Sequence, residues 1–272
     1  MGATNSQIST ALAVMLVGYG VMSIALSVWL KMPISVVWST PGAAFLAASA
    51  GLGLKFELAV GAFIVSSLLI VITGLWPALG ALVKKIPPQI SAAMLAGVIF
   101  PFVIATVHSA VNFPALIMPV VLVWFLVNRF LPLWASPIAI GLGFLLIGLS
   151  PEASDAQIIS FWPELAVVIP QFDLAAIIAI GIPLYLITMA SQNLPGLAIM
   201  SSLGYQVPSG KVFSATGTAS ALTGFFGGFG LNLAAITAAL NADENAAKDP
   251  ARRWIASTAS LWSDRWLPVC PG

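Results

Sequence analysis

This chain of 272 residues is 60% apolar and only 7% charged, whereas soluble domains average roughly 45–50% and 25%. A net charge of +1 without a basic cluster excludes a nucleic-acid surface, and the single Cys270 excludes an internal disulfide. The first ten residues contain no Lys or Arg and so do not read as a signal peptide. What is left is a function carried out in or across a bilayer.

Seven stretches contain no Asp, Glu, Lys or Arg: 1–30, 32–54, 58–83, 86–128, 130–151, 174–210 and 212–242. A helix needs about 20 apolar residues to cross the hydrocarbon core. Residues 7–30 read as a full span ending before Lys31. Residues 34–50 do not. Ile34 to Val37 is extended in character, and Ser39-Thr40-Pro41-Gly42 then starts a helix in mid-segment, with a hydroxyl as cap and Pro in the first turn. About ten residues remain before Gly51, or ~15 Å at 1.5 Å per residue, half a membrane. Residues 56–77 form a span, and Pro101 and Asn112-Phe113-Pro114 divide 86–128 into spans of 88–107 and 114–128. A further span covers 132–150. Residues 174–200 are read as a span broken at Pro183 and at Gln192-Asn193-Leu194-Pro195-Gly196. Residues 210–226 are a span rich in small residues. Gly227-Gly228-Phe229-Gly230 then interrupts the chain, and residues 231–240 are read as a second short helix opened by Asn232. The total is about seven full spans and two half-helices.

Charge sets the expected orientation. Lys31, Lys84, Lys85, Arg129, Lys211, Lys248, Arg252 and Arg253 fall in short loops, which the positive-inside rule places in the cytoplasm. The loop 151–173, with Glu152, Asp155, Glu164 and Asp173, is then external, as are Lys55 and Glu57. Two interrupted short segments far apart in a membrane chain are the mark of an inverted-repeat transporter. Irregular backbone at that depth is tolerated only where protein or a polar cavity satisfies it. Half-helix N-termini facing such a site favour an anion.

Trp38 to Ala44, Val60 to Phe63 with Leu69 to Trp76, Ser191 to Leu197, Asn232 to Ala238 and Asp249 to Ile255 together resemble the benzoate/proton symporters of the BenE type, in the same order from about residue 3 to about 258. The resemblance implies an all-α polytopic membrane protein, a partial seven-plus-seven inverted-repeat fold similar to that of the nucleobase permeases and sulfate-type anion transporters. Two strand-plus-half-helix segments, 34–50 and 228–241, would hold the substrate between them. Residues 1–258 would be the transporter domain, from segment two to the start of segment eleven. Residues 259–272 would be an atypical tail, which makes the chain look shortened at both ends.

The implied activity is secondary import of benzoate or a similar aromatic carboxylate, with a proton, by alternating access in the bacterial inner membrane. An uncoupled conductor of the same fold and a nonfunctional fragment are the alternatives. Substrate-binding candidates are Ser39, Thr40, Pro41, Gly42, Gln192, Asn193, Gly230 and Asn232. For Ser39, Thr40 and Asn232 helix capping is the competing account, and for Gln192 and Asn193 it is interhelical hydrogen bonding. Phe225, Phe226 and Phe229 are core or lipid-facing unless one stacks on a ring, and Thr237 is read as packing. His108 reads as interfacial. No Asp or Glu lies deep in a span, so the proton would travel on the substrate or on groups outside this chain. No enzyme activity, cofactor, metal or nucleic acid is implied. The partners are the anion, the proton and lipid, with the oligomeric state, a homodimer included, left open.

Overall fold

The computed structural model describes residues 2–76, 100, 103–149, 165–234, 236–243 and 246–259. The expected span 88–107 and the tail 259–272 lie mostly outside them. The chain divides into two compact units, residues 97–159 and the remainder. The smaller holds α4 (Val103–Asn112), α5 (Pro114–Phe130) and α6 (Pro132–Leu149). The break at Phe113 falls where Asn-Phe-Pro predicts it. α5 and α6 pack together, with Trp124 Nε1 donating to Ser136 Oγ at 3.3 Å. Most of their large apolar side chains are exposed, as suits contact with lipid tails. His108 is exposed on α4.

The larger unit begins with α1 (Asn5–Leu30), closed at Thr4 by a capping box with Gln7. Then follow β1 (Val36–Val37), α2 (Thr40–Ala48) and α3 (Phe56–Leu75). The second half of the unit is α7 (Leu174–Ser202), α8 (Ser209–Gly224), β2 (Asn232–Leu233), α9 (Ile236–Ala242) and α10 (Trp254–Ala259). By length and composition α1, α3 and α7 can each cross a membrane.

α3 and α8 pack antiparallel, and small residues let their backbones approach. A Cβ added to Gly217 would sit 2.8 Å from Val71 N, and one on Gly74 would sit 2.6 Å from Ser214 N. Thr73 Oγ1 on α3 already donates to Leu69 O, so Tyr185 Oη on α7, 2.7 Å away, donates to it.

Two expectations are corrected. The segment 174–200 is not broken. α7 stays helical by widening into π turns at Ile177–Gly181 and Met189–Asn193. Pro183 and Pro195 lack the N–H that would bond the carbonyls of Ala179 and Ser191, and their rings crowd those carbonyls. Both carbonyls lie inside the widened turns, where the crowding is relieved. The second short helix does not start at residue 231. Residues 232–233 pair with β1, and the helix begins at Ile236. Asn232 is therefore a strand residue and not a helix cap, because pairing to a strand almost two hundred residues earlier wins over local capping.

Different contacts mark the two ends of this unit. At one end Lys31 Nζ lies 4.1 Å from the Trp254 ring centroid and Lys211 Nζ lies 5.3 Å from that of Trp29. At the other, Gln171 N–H donates to Glu57 O, Val168 N–H to Phe225 O and Ala166 N–H to Thr10 Oγ1.

Candidate substrate site

β1 and β2 form a two-stranded antiparallel ladder with Val36 opposite Leu233 and Val37 opposite Asn232. A ladder of two strands has an unpaired edge on each side, which is costly away from water. One serine closes each edge. Ser23 Oγ on α1 accepts from Val36 N–H at 2.8 Å and lies 3.4 Å from Val36 O. Ser220 Oγ on α8 accepts from Leu231 N–H at 2.6 Å, and its hydrogen is shared between Thr216 O at 2.7 Å and Leu231 O at 3.1 Å. In both cases the serine belongs to the helix just before the strand. Ser27 Oγ adds a bond to Ile34 O at 2.8 Å, and Asn241 Nδ2 one to Ser35 Oγ at 2.8 Å.

Both strands lead into short helices that run apart, because the strands are antiparallel. Ser39 caps α2 as predicted, its Oγ accepting from Gly42 N–H at 3.0 Å, with Pro41 in the first turn. Ser39, Pro41 and Gly42 are buried, whereas Thr40 is exposed. Gly42 faces α7: a Cβ there would lie 3.0 Å from Leu184 Cδ1. On the other arm, Gly227 (φ +85°) and Gly230 (φ +140°) adopt backbone that side chains rarely tolerate, which is why this interruption is glycine-built. Phe229 meets Phe63 edge to face at 6.4 Å, while Phe225 is exposed.

The amides come together where the ladder meets the second π turn of α7. Asn193 Oδ1 accepts from Leu233 N–H at 2.9 Å. That bond fixes the Asn193 amide, so its Nδ2 must be the group pointing at Asn232 Oδ1, 3.2 Å away, and at Met189 Sδ, 3.3 Å away. The contact in turn fixes the Asn232 amide with its oxygen toward Asn193. Asn232 Nδ2 is left buried and without a partner. Beside it lies Gly230, whose added Cβ would come within 3.2 Å of that nitrogen. A buried N–H pair with no acceptor costs about 1–3 kcal/mol. Its chemistry is that of a donor waiting for an anion or a carbonyl. Gln192, on the same π turn, is half-buried.

Of the eight candidates, Asn193, Gly230 and Asn232 meet at one point, and Ser39, Pro41 and Gly42 lie at the start of α2, which leads out of the partner strand. Sequence reasoning missed Ser23, Ser27, Ser35, Ser220, Asn241 and Arg253. The available signal was the four-residue spacing of Ser23 and Ser27 in an otherwise apolar helix; the others carried none.

Residues 1–264 match the family model described as benzoate membrane transport protein. The chain is 34% identical over 260 residues to the inner membrane protein YdcO of Escherichia coli, covering 95% of this chain and 66% of that protein. It is 30% identical over 248 residues to the benzoate membrane transport protein of Acinetobacter baylyi, covering 90% of this chain and 62% of that one. The chain thus spans about two thirds of the length of these curated relatives.

Proposed function

We propose, given that the chain belongs to the benzoate membrane transport protein family, that it carries benzoate or a similar aromatic carboxylate, together with a proton, across the bacterial inner membrane. Both relatives are bacterial, and the Escherichia coli one is named for that membrane. The observation that carries the reading is the amide chain from Leu233 through Asn193 to Asn232. It orients one buried, unpaired N–H donor toward an incoming acceptor. The carboxylate takes up that donor, with Gln192 and the first turn of α2 from Ser39 to Gly42 near the same crossing. The aromatic ring lies among apolar side chains.

The matched serine closures at Ser23 and Ser220 support an inverted repeat built on the two strand-plus-half-helix arms. The transporter domain covers 1–258. Alternating access is then a rocking of the bundle that carries the site against the rest of the transporter. The Lys and Arg end of the larger unit faces the cytoplasm.

The test is reconstitution in proteoliposomes with labelled benzoate and an imposed proton gradient, acid on the entry side. Accumulation above equilibrium that a protonophore abolishes is the expected result. Equilibration without accumulation would mean an uncoupled conductor, and no uptake a nonfunctional piece. Asn232→Ala should weaken benzoate binding about 10- to 150-fold, the equivalent of one hydrogen bond to a charged group at about 1.5–3 kcal/mol. Affinity unchanged within twofold would remove Asn232 from the site.

A further inference from the structure

We propose that Arg253 is the positioning residue of the second arm, holding α9 and with it the donor at Asn232 from the end remote from the substrate. The inference rests on the carboxylate site described above. Arg253 is a buried cation, 6% exposed. Its Nη1 donates to Ala242 O at 2.9 Å and its Nε to Ala247 O at 2.8 Å. Ala242 is the last residue of α9, so the guanidinium sits on the carbonyl end of that helix, where a positive charge opposes the helix dipole. The fork joins the helix end to the loop after it, a two-point attachment that an ammonium cannot reproduce.

The attachment reaches the site through a short mechanical path. α9 begins three residues after Leu233, whose N–H orients Asn193 and through it Asn232. Ala234 N–H is bonded to Ser35 O, and Asn241 in the last turn of α9 is bonded to Ser35 Oγ, so α9 is tied to β1 as well. Arg253 leads directly into α10, where Trp254 receives Lys31 from the end of α1. α1 in turn holds β1 through Ser23 and Ser27. The contacts form a closed ring: α1, β1, β2, α9, Arg253, α10 and back to α1. Arg253 is the one cation in it that is buried and hydrogen-bonded to the arm itself. Tyr205 Oη, bonded to Pro250 O at 2.9 Å, braces the loop that carries it.

The experiment uses the whole chain in lipid nanodiscs and compares Arg253→Lys, Arg253→Gln and Arg253→Met. The first keeps the charge without the fork, the second keeps a donor without the charge, and the third keeps neither. Two quantities are read: labelled benzoate affinity and hydrogen exchange in residues 231–242. Arg253→Met should weaken benzoate at least tenfold and raise exchange in 231–242 while α3 and α8 stay protected, with Arg253→Lys intermediate. In an Asn232→Ala background the same change should cause no further loss of affinity, because the two act through one contact. Should Arg253→Met not fold, Arg253→Gln carries the same comparisons. Wild-type exchange in 231–242 would overturn the proposal, as would equal losses in both backgrounds. If the wild type binds no benzoate the transport reading fails, and the exchange data alone then decide for or against Arg253.

Discussion

The two arms at the strand crossing are satisfied in different ways. The first takes most of its bonds beyond the ladder from its own neighbourhood, with Asn241 reaching Ser35 from the second arm. Ser39 caps α2 three residues ahead, Pro41 opens its first turn, and Ser23 and Ser27 on the preceding helix close the edge of β1. The second depends on remote partners. Asn193 lies 39 residues before Asn232, and Arg253 grips the end of α9 from beyond a loop. After all of these bonds the second arm still has an unpaired donor. A buried donor left over is where a ligand gains most. Transport chemistry is therefore expected to respond to the second arm and stability to both.

The largest effect expected from breaking this contrast is that of Asn193→Leu. It leaves Leu233 N–H and Asn232 Oδ1 without their partners, at about 1–3 kcal/mol for each buried group. Thermal stability and benzoate affinity should fall together, whereas Asn232→Ala should lower affinity with a smaller stability loss. Equal melting temperatures for Asn193→Leu and the wild type in matched detergent would contradict the amide chain.

A second comparison uses the glycines at which each arm meets α7. A Cβ at Gly196 would lie 2.9 Å from Leu233 Cγ and 3.0 Å from Ala234 O, which is backbone of the second arm. At Gly42 the neighbours are the end of the Leu184 side chain at 3.0 Å and Ser39 itself, at 3.0 Å to its Cβ. Gly196→Ala should displace β2 and reduce benzoate binding, with overpacking costing about 1–3 kcal/mol. Gly42→Ala should be milder, because every close neighbour is a side-chain atom and none is backbone of the other arm. Binding isotherms of the two variants at equal expression would show the order, and a reversed order would count against the asymmetry.

The smallest effect sharpens the first arm. Ser39→Ala removes the α2 cap and should cost about 1 kcal/mol of stability. Benzoate affinity should change less than in Asn232→Ala, since the Ser39 oxygen is already engaged by Gly42. A loss of affinity as large as that of Asn232→Ala would place the substrate on the first arm instead.

Much of this was determined by the sequence alone. Uncharged runs as long as a bilayer is thick mark α1, α3 and α7, and Ser39-Thr40-Pro41 dictates a helix start, because capping and the proline ring act over three or four residues. The glycines at 227 and 230 announce irregular backbone for the same local reason. Only the tertiary structure decided that Asn232 is a strand residue, that α7 passes Pro183 and Pro195 without breaking, and that Asn193 faces Asn232. Each of these is settled by groups far apart in the chain. Strand pairing requires a partner edge, a π turn requires neighbours that hold the widened helix, and the direction of an amide is set by whichever N–H meets its oxygen. Arg253 shows the same division: its charge marks a loop in the sequence, while its burial against Ala242 exists only once α9 and α10 have packed.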